Sequence, residues 1–354
     1  MITISLCMIV KNEEEVLARC LASVADITDE IIVVDTGSTD HTKAIARSLG
    51  AKVYDFAWVD DFAAARNASF GYATMDYIMW LDADDVILPA DRELLLTCKQ
   101  AADGTADTIM MPYHTAFDKA GRPTFFYERE RLLRRAAQPQ WQEPVHEVIT
   151  PFGKIEHCPA AITHRKEKPA TPGRNLAIYE KRRATGQPFS PRATYYFGRE
   201  LFYAGRPAEA KEQLGLFLQQ GGGWAPDCVE ACILRGHCCR QPREQLTAFL
   251  EGLIYAVPTP RLCCSLGQWF LQERQLLPAV FWFEQATTVP PAEGFQSPDY
   301  RGYVPYLQLC VCYDHLADWE KARLYNEKAG AIKPQSEQVA HNRAYLAGRG
   351  YPSP

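Results

Sequence analysis

From Ile4 to about residue 165, apolar runs of strand length alternate with segments whose apolar residues recur at helix spacing; past Pro191 only helix spacing remains. A chain with that break cannot close one periodic architecture over its whole length. Ile4–Val10, Glu30–Asp35, Lys52–Tyr54 and Tyr77–Leu81 read as strands. Between them, Glu14–Val24 places Val16, Leu17, Cys20, Leu21 and Val24 on one helical face. Asp40–Leu49 reads as a helix capped by Ser38, Thr39 or Asp40 and stopped by Gly50, and Phe62–Ala73 as another. Strands alternating with helices imply a mostly parallel sheet covered on both faces. Thr108–Phe117 and Thr124–Leu133 read as strands around the turn signal Asp118-Lys119-Ala120-Gly121, and Ile155–Thr163 as a further strand.

The length of 354 residues, at about 150 per domain, agrees with two domains. The segment Lys168-Pro169-Ala170-Thr171-Pro172-Gly173 interrupts the first pattern, a short helix spans Asn175–Ala184, and a second break follows at Gly186–Pro191. The expected organisation is an α/β domain over 1–168, a linker with a short helix over 169–190, and an all-helical domain over 191–354. Within the last, Gly198 precedes Ala210 by twelve residues, as Gly236 precedes Ala248, Gly267 precedes Ala279 and Cys310 precedes Ala322. Ala286 and Ala329 follow seven residues later, and Pro291 and Pro334 five beyond those. Small residues at these offsets let antiparallel helices approach closely, and the pattern resembles a tetratricopeptide repeat. Starts 38, 31 and 43 residues apart make the period irregular, and Tyr255 stands where the second unit wants a small residue. The plain alternative is a helical bundle without repeat. Stacked repeats would present a groove suited to a peptide. Trp224, Trp269, Phe281 and Trp282 read as core fillers of these helices rather than groove lining.

Composition excludes several classes. With 47% hydrophobic and 23% charged residues the chain is neither disordered nor fibrous. Thirty-eight basic against 43 acidic residues, with no basic run, give no nucleic-acid footprint. A membrane helix needs about 20 apolar residues, and no such stretch occurs. The first apolar run has no preceding positive charge and reads as a strand rather than a secretion signal, so a soluble, cytoplasmic protein with reduced thiols is expected. The 12 cysteines lack the spacing of a zinc knuckle.

The chemistry-bearing residues lie in the first half. Asp35 ends the second strand and opens Asp35-Thr36-Gly37-Ser38-Thr39-Asp40, where an open α/β sheet binds ligands. Asp82-Ala83-Asp84-Asp85 follows the fourth strand; alternation places Asp82 and Asp84 on one side, and two such carboxylates call for a cation between them, with oxygen ligation that suits Mg²⁺ or Mn²⁺. Asp85 reads as a helix cap or a solvated residue. Arg66, in Asp61-Phe62-Ala63-Ala64-Ala65-Arg66-Asn67, is placed to meet acidic groups or a base.

Together, Ser5–Glu14, Arg19–Val24, Asp29–Thr42, Ala64–Asn67 and Trp80–Asp85 resemble the family 2 glycosyltransferases of GT-A fold, a branch of which carries C-terminal tetratricopeptide-like helices. The resemblance implies transfer of a hexose from a nucleotide-sugar, a UDP-sugar foremost, to an acceptor by metal-dependent inverting displacement. It implies that Asp35 meets uracil or ribose, that Asn12 and the backbone near Val10 line the base pocket, and that Arg66 lies near base or diphosphate. Asp82 and Asp84 become the DxD motif that holds the diphosphate through Mn²⁺ or Mg²⁺, with His146 or His164 as a further metal ligand. Trp141–Glu147 resembles a tryptophan-to-His-Glu segment of the branch, so the acceptor's base is expected to be Glu147, with Glu143 and Asp85 behind it. Arg131, Arg134 and Arg135, and Arg165, Lys166 and Lys168, would steady the departing diphosphate, with Lys166–Gly173 either a lid or a solvated linker. A protein or peptide acceptor is expected at the helical repeats. Other readings are a phosphohydrolase with Asp82 as nucleophile, a nucleotidyltransferase, whose glycine-rich loop is absent, and a scaffold that binds sugar nucleotide without turnover.

Overall fold

The computed structural model describes residues 1–117, 121, 123–165, 167, 171–290 and 297–351, in two units, Met1–Arg182 and Arg183–Pro354. In the first, the strands are β1 (Ile4–Val10), β2 (Glu30–Asp35), β3 (Lys52–Asp55), β4 (Tyr77–Trp80), β5 (Asp85–Val86), β6 (Thr108–Phe117), β7 (Pro123–Arg134), β8 (Ile155–His157) and β9 (Ile162–His164). They form one sheet in the order β3-β2-β1-β4-β7-β6-β9-β5, with β8 beside β6. β1 to β4 run parallel, β7 turns antiparallel to β4, and the long β6–β7 pair carries the sheet onward to β9 and β5. The helices are α1 (Leu17–Val24), α2 (Thr42–Ser48), α3 (Phe62–Gly71), α4 (Pro89–Ala101) and α5 (Arg174–Ala184).

Strand alternation divides the core into two layers. Leu6, Met8 and Val10 of β1 join Leu17, Leu21 and Val24 of α1 and Leu95 of α4 on one face. Cys7 joins Ile32, Ile78 and Trp80 with Ala63 and Phe70 of α3 on the other. Both faces of the central strands are therefore closed, which leaves the ends of the strands as the place for chemistry.

Several expectations from sequence change here. The run Ile155–Thr163 is two short strands, because β6 offers its edge twice, at Thr108–Met110 to β8 and at Tyr113–His114 to β9. Helix α4 and strand β5 have no counterpart in the sequence reading. Asp40 does not start α2; its Oδ1 accepts from Thr42 N at 3.0 Å and its Oδ2 from Glu14 N at 3.3 Å, tying two loops before the helix begins. The turn residues 118–120 lie outside the described residues.

The second unit is a tetratricopeptide-like array: α6 (Pro191–Tyr203) with α7 (Pro207–Gln220), α8 (Ala225–Cys238) with α9 (Pro242–Glu251), α10 (Pro260–Gln272) with α11 (Leu276–Thr288), α12 (Tyr303–His315) with α13 (Trp319–Ile332), and a closing α14 (Glu337–Gly348). Ala210, Ala279, Ala286, Ala322 and Ala329 are fully buried at the helix crossings. A Cβ on Gly198 would lie 2.7 Å from Leu214 Cδ2, and one on Gly267 would lie 2.9 Å from Phe283 Cδ1. The second pair is the odd one, α9 passing into a tight turn at Gly252–Ile254 just before Tyr255. Pro291 lies outside the described residues, while Pro334 stands in the turn after α13. Of the aromatic side chains expected in the core, Trp269 is buried, whereas Trp224 and Phe281 are about half exposed, at 48% and 53%. No helix among the described residues is long and apolar enough to cross a membrane.

Two stability outcomes follow. Gly198→Val drives a branched side chain into Leu214, and overpacking of this kind costs about 1–3 kcal/mol; urea unfolding of the full chain should show the helical unit lowered by that amount. At the foot of the sheet, Glu30 is buried and accepts from Ser5 Oγ (2.6 Å), Lys52 Nζ (2.7 Å) and Thr74 N (3.0 Å). Burial alone would raise its carboxyl, but these partners prevail and hold it at about 2 against the usual 4.5. A depressed folded value contributes stability that is present above 4.5 and lost as pH falls toward 2. Unfolding midpoints measured across that window should fall less steeply for Glu30→Gln than for the parent protein.

Candidate active site

The carboxyl ends of β1, β2 and β4 come to one edge of the sheet, and the loops that leave them are tied to one another. Val10 pairs with Asp35 in register, and the Val10 carbonyl accepts from Thr36 N (2.9 Å) and Thr36 Oγ1 (3.1 Å). Asn12 sits in the left-handed region at φ 55°. Its N–H donates to Ser38 Oγ (2.9 Å), and its Oδ1 accepts from Thr39 N (2.8 Å). Val10 and Asn12 therefore shape the Asp35 loop. Gly37, at φ 106°, makes the turn that lets its own N–H and that of Ser38 reach Asp35 Oδ1, at 3.0 and 2.9 Å. Asp35 is 1% exposed, and its Oδ2 is buried with no hydrogen-bond partner. A buried carboxylate oxygen left unpaired is costly and marks a place where a donor group belongs.

The second element is Arg66. Asp61 caps α3 by accepting from Ala64 N at 2.8 Å, which fixes the helix start one turn before Arg66. The guanidinium is buried, 5.3 Å from the Trp80 ring and 4.8 Å from the Trp141 ring. Its Nε donates to Glu147 Oε1 (2.8 Å) and its Nη2 to Asp82 Oδ1 (2.7 Å). Burial opposes the charge of Arg66, but Asp82 and Glu147 outweigh it and hold the guanidinium firmly protonated. Burial likewise would raise the Asp82 carboxyl, and Arg66 instead brings it below the usual range.

The third element lies where β5 pairs with β9. Asp82 to Asp85 form a turn, closed by Asp85 N to Asp82 O at 3.0 Å, so strict alternation does not apply. Asp82 is drawn to Arg66, and the ligand atoms that gather within 4.8 Å of one another are those of Asp84, Asp85 and His164. His164 Nδ1 lies 3.4 Å from Asp84 Oδ1 and 3.3 Å from Asp85 Oδ1. Its imidazolium is favoured by the bond to Asp85 foremost and then by Asp84, against burial. Asp84 moves the other way: burial, with Asp82 and Asp85 adding to it, pushes its carboxyl up despite His164. His146, at φ 54° and part-buried, does not belong to this group.

Asp85 is neither a helix cap nor solvated. It lies in β5 with no exposure, because β9 pairs across it. Its Oδ1 accepts from Tyr113 OH at 2.8 Å, and its Oδ2 from Asp82 N at 3.1 Å and Arg131 Nη1 at 3.3 Å. Expected as one candidate base, Asp85 is an acceptor already filled, with both oxygens engaged inside the protein. Its chemistry is to hold His164, the Asp82 backbone and β7 in one place. Arg131, fully buried, is 3.7 Å from the Trp80 ring and 4.3 Å from the Tyr113 ring. The expected arginine cluster disperses: Arg134 pairs with Asp107 at 3.3 Å, and Arg135 Nε donates to Met75 O at 2.6 Å. Arg165 is exposed and donates its backbone N–H to Asp84 O at 2.9 Å, while Lys166, Lys168, Pro169 and Ala170 of the expected lid lie outside the described residues. Glu143 stands 3.9 Å from Arg182.

A carboxylate and an imidazole, Asp84 and His164, held together by Asp85 behind them, with the Asp84 carboxyl raised by burial and by its acidic neighbours, are a donor set that fits a divalent cation. The partners behind such ligands typically govern affinity by about 10–100-fold. Asp85→Asn removes the charge that holds His164 and Arg131; it should weaken Mn²⁺ binding, measured by calorimetry or electron paramagnetic resonance, by about that factor while leaving the secondary structure unchanged. Unchanged affinity would show that Asp85 serves the sheet alone.

Residues 5–154 match the family model described as Glycosyl transferase family 2. The chain is 45% identical over 151 residues to a TPR repeat-containing protein of Synechococcus elongatus, covering 42% of this chain and 36% of that one. It is 27% identical over 227 residues to the SPbeta prophage-derived glycosyltransferase SunS of Bacillus subtilis, covering 60% and 52%. Among solved structures, glucosyl-3-phosphoglycerate synthase from Mycobacterium tuberculosis is 16% identical with a TM-score of 0.35, covering 54% of this chain and 81% of the other. The chain spans about a third to a half of the length of the curated relatives it matches. Residues 5–154, within the N-terminal unit, are thus similar to glycosyl transferase family 2 domains, and a tetratricopeptide-like helical unit follows them.

Proposed function

We propose that this protein transfers a sugar from a nucleotide-sugar, a UDP-sugar, to a peptide acceptor by inverting displacement that depends on a divalent cation. The observation that carries the donor half is the unpaired, buried Oδ2 of Asp35 at the carboxyl end of β2, on the same sheet whose β4 leads into the Asp84–His164 group. A pyrimidine ring N–H or a ribose hydroxyl satisfies that oxygen. Asp84 and His164 would hold Mn²⁺ or Mg²⁺, with Asp82 at the ribose or diphosphate; the cation supplies charge neutralisation of the diphosphate leaving group.

The chain's own residues do the rest. Arg66, fixed between Trp80 and Trp141 and charged throughout, sets Asp82 and Glu147 at a defined separation. Glu147 is the base: Arg66 orients it through Oε1, and the side chain keeps 14% exposure. It takes the proton of the acceptor hydroxyl or thiol as that atom attacks the anomeric carbon and the bond to the diphosphate breaks. The reading of Asp82 as a phosphohydrolase nucleophile fits less well, since its Oδ1 is bonded to a permanently charged arginine.

The peptide acceptor is proposed to meet the helical unit. Helices α6, α8 and α10 face a cleft lined by Tyr195, Arg199, Trp224, Asp227, Glu230 and Arg261. Arg199 lies over the Tyr195 and Tyr196 rings at 5.6 and 5.1 Å, with its Nε buried and without a partner. Aromatic faces beside charged groups suit side-chain and main-chain groups of an extended peptide.

Donor hydrolysis and transfer, assayed with a UDP-sugar panel, separate these roles. Asp35→Ala should raise KM for the donor by about tenfold or more, the loss of one buried hydrogen-bonded partner. Glu147→Gln should lower kcat by about 10²–10⁴-fold at nearly constant donor affinity. Donor binding without turnover in the parent protein would replace the transferase with a sugar-nucleotide-binding scaffold.

A further inference from the structure

Helix α4 carries Cys98 near its C-terminal end, and Cys158 follows β8 by one residue. Their Sγ atoms are 2.9 Å apart although the residues are 60 positions apart in sequence. The other ten cysteines show no such sulfur-to-sulfur approach, and all twelve are free thiols. Cys98 is part-exposed, so a small oxidant reaches it, whereas Cys158 is 2% exposed. The two thiols lie on a brace: Asp91, in the first turn of α4, accepts from Ala161 N at 2.8 Å, so α4 grips the segment 158–161 at both ends before it enters β9 and reaches His164.

We infer that Cys98 and Cys158 form a reversible disulfide that locks α4 to the segment leading into β9. The sulfurs need to close by about 0.9 Å to reach the usual bond of about 2.05 Å, a shift within rotamer adjustment. With oxidised glutathione as the oxidant, the Cys98 thiolate attacks one of its sulfurs; the glutathione disulfide breaks, a mixed disulfide forms on Cys98 and one glutathione leaves. Cys158 then gives up its proton to solvent and attacks Cys98 Sγ, expelling the second glutathione. In sum, two protein thiols lose two protons and two electrons, and oxidised glutathione becomes two glutathione molecules. Burial, and the bond with Cys98, push the Cys158 thiol up to about 12, so the second step is the slow one and the adduct on Cys98 comes first.

The experiment treats the native full-length protein with oxidised glutathione, traps the remaining thiols, and maps peptides by mass spectrometry, with thermal unfolding in parallel. The expected result is a glutathione adduct on Cys98, then a cross-linked peptide pair holding Cys98 and Cys158, and a rise of about 5–10 °C in the unfolding midpoint of the first unit, reversed by dithiothreitol. Cys158→Ser should keep the Cys98 adduct and lose the rise, and Cys98→Ser should lose both. Absence of the 98–158 cross-link from protein that remains folded overturns the inference, as does an equal rise in Cys98→Ser. These readouts do not depend on sugar transfer.

Discussion

A carboxylate with no contact to water, Asp85, joins strands of the first unit that lie up to 79 positions from it in sequence. It receives Tyr113 from β6, Arg131 from β7, His164 from β9 and the backbone of Asp82 from the turn it belongs to. The three side-chain partners sit on three different strands, so the sheet beyond β4 acquires its register around one charge. A buried ion pair of this kind is weak as a source of net stability, because desolvating both groups offsets their attraction. What it provides is uniqueness: removing one partner strands the other, so only one arrangement of β5, β7 and β9 satisfies them all. The orientation of Asp84 and His164 depends on that arrangement.

Around this hub the arginines and tryptophans form a second layer. The Trp80 indole is approached by Arg66, Arg129 and Arg131 at 5.3, 4.8 and 3.7 Å, and donates its ring N–H to Glu130 O at 2.6 Å. Cations over an aromatic face are steadied without being neutralised. The acidic residues nearby therefore divide into two groups with opposite behaviour. Asp82, under Arg66, stays ionised more readily than an ordinary aspartate, while Asp84, partly buried and next to other carboxylates, takes a proton more readily. The same short motif thus supplies one carboxylate fixed by an arginine and one whose charge calls for a cation.

Much of this was legible in the residues. Ile4–Val10 and Glu30–Asp35 form strands over the spans their apolar runs mark, and Asp35 stands at the carboxyl end of its strand. The small residues of the helical unit sit at crossings where a larger side chain would collide, so their twelve-residue offsets carry steric information. What escaped has a common cause. β5 is two residues long and exists only because β9 pairs with it some eighty positions later, so no local pattern announces it. Asp85 looks like a helix cap or a solvated residue until that pairing covers it. α4 opens on Pro89 at its first turn, a helix-start signal, but its mixed polarity hides the apolar face that Leu95 buries. Asp82 and Asp84 diverge because the backbone turns between them and Arg66 takes the first.

The central claim is that the unpaired oxygen of Asp35 and the Asp84–His164 group bind one ligand jointly, nucleotide and cation together. Calorimetric titration of UDP into the full-length protein, with and without saturating Mn²⁺ and repeated with His164→Ala, tests it most directly. The account predicts binding that tightens by about tenfold or more with Mn²⁺ in the parent protein, an increment that disappears in His164→Ala while the weak metal-free binding persists. UDP affinity indifferent to Mn²⁺, or an undiminished increment in His164→Ala, would contradict it.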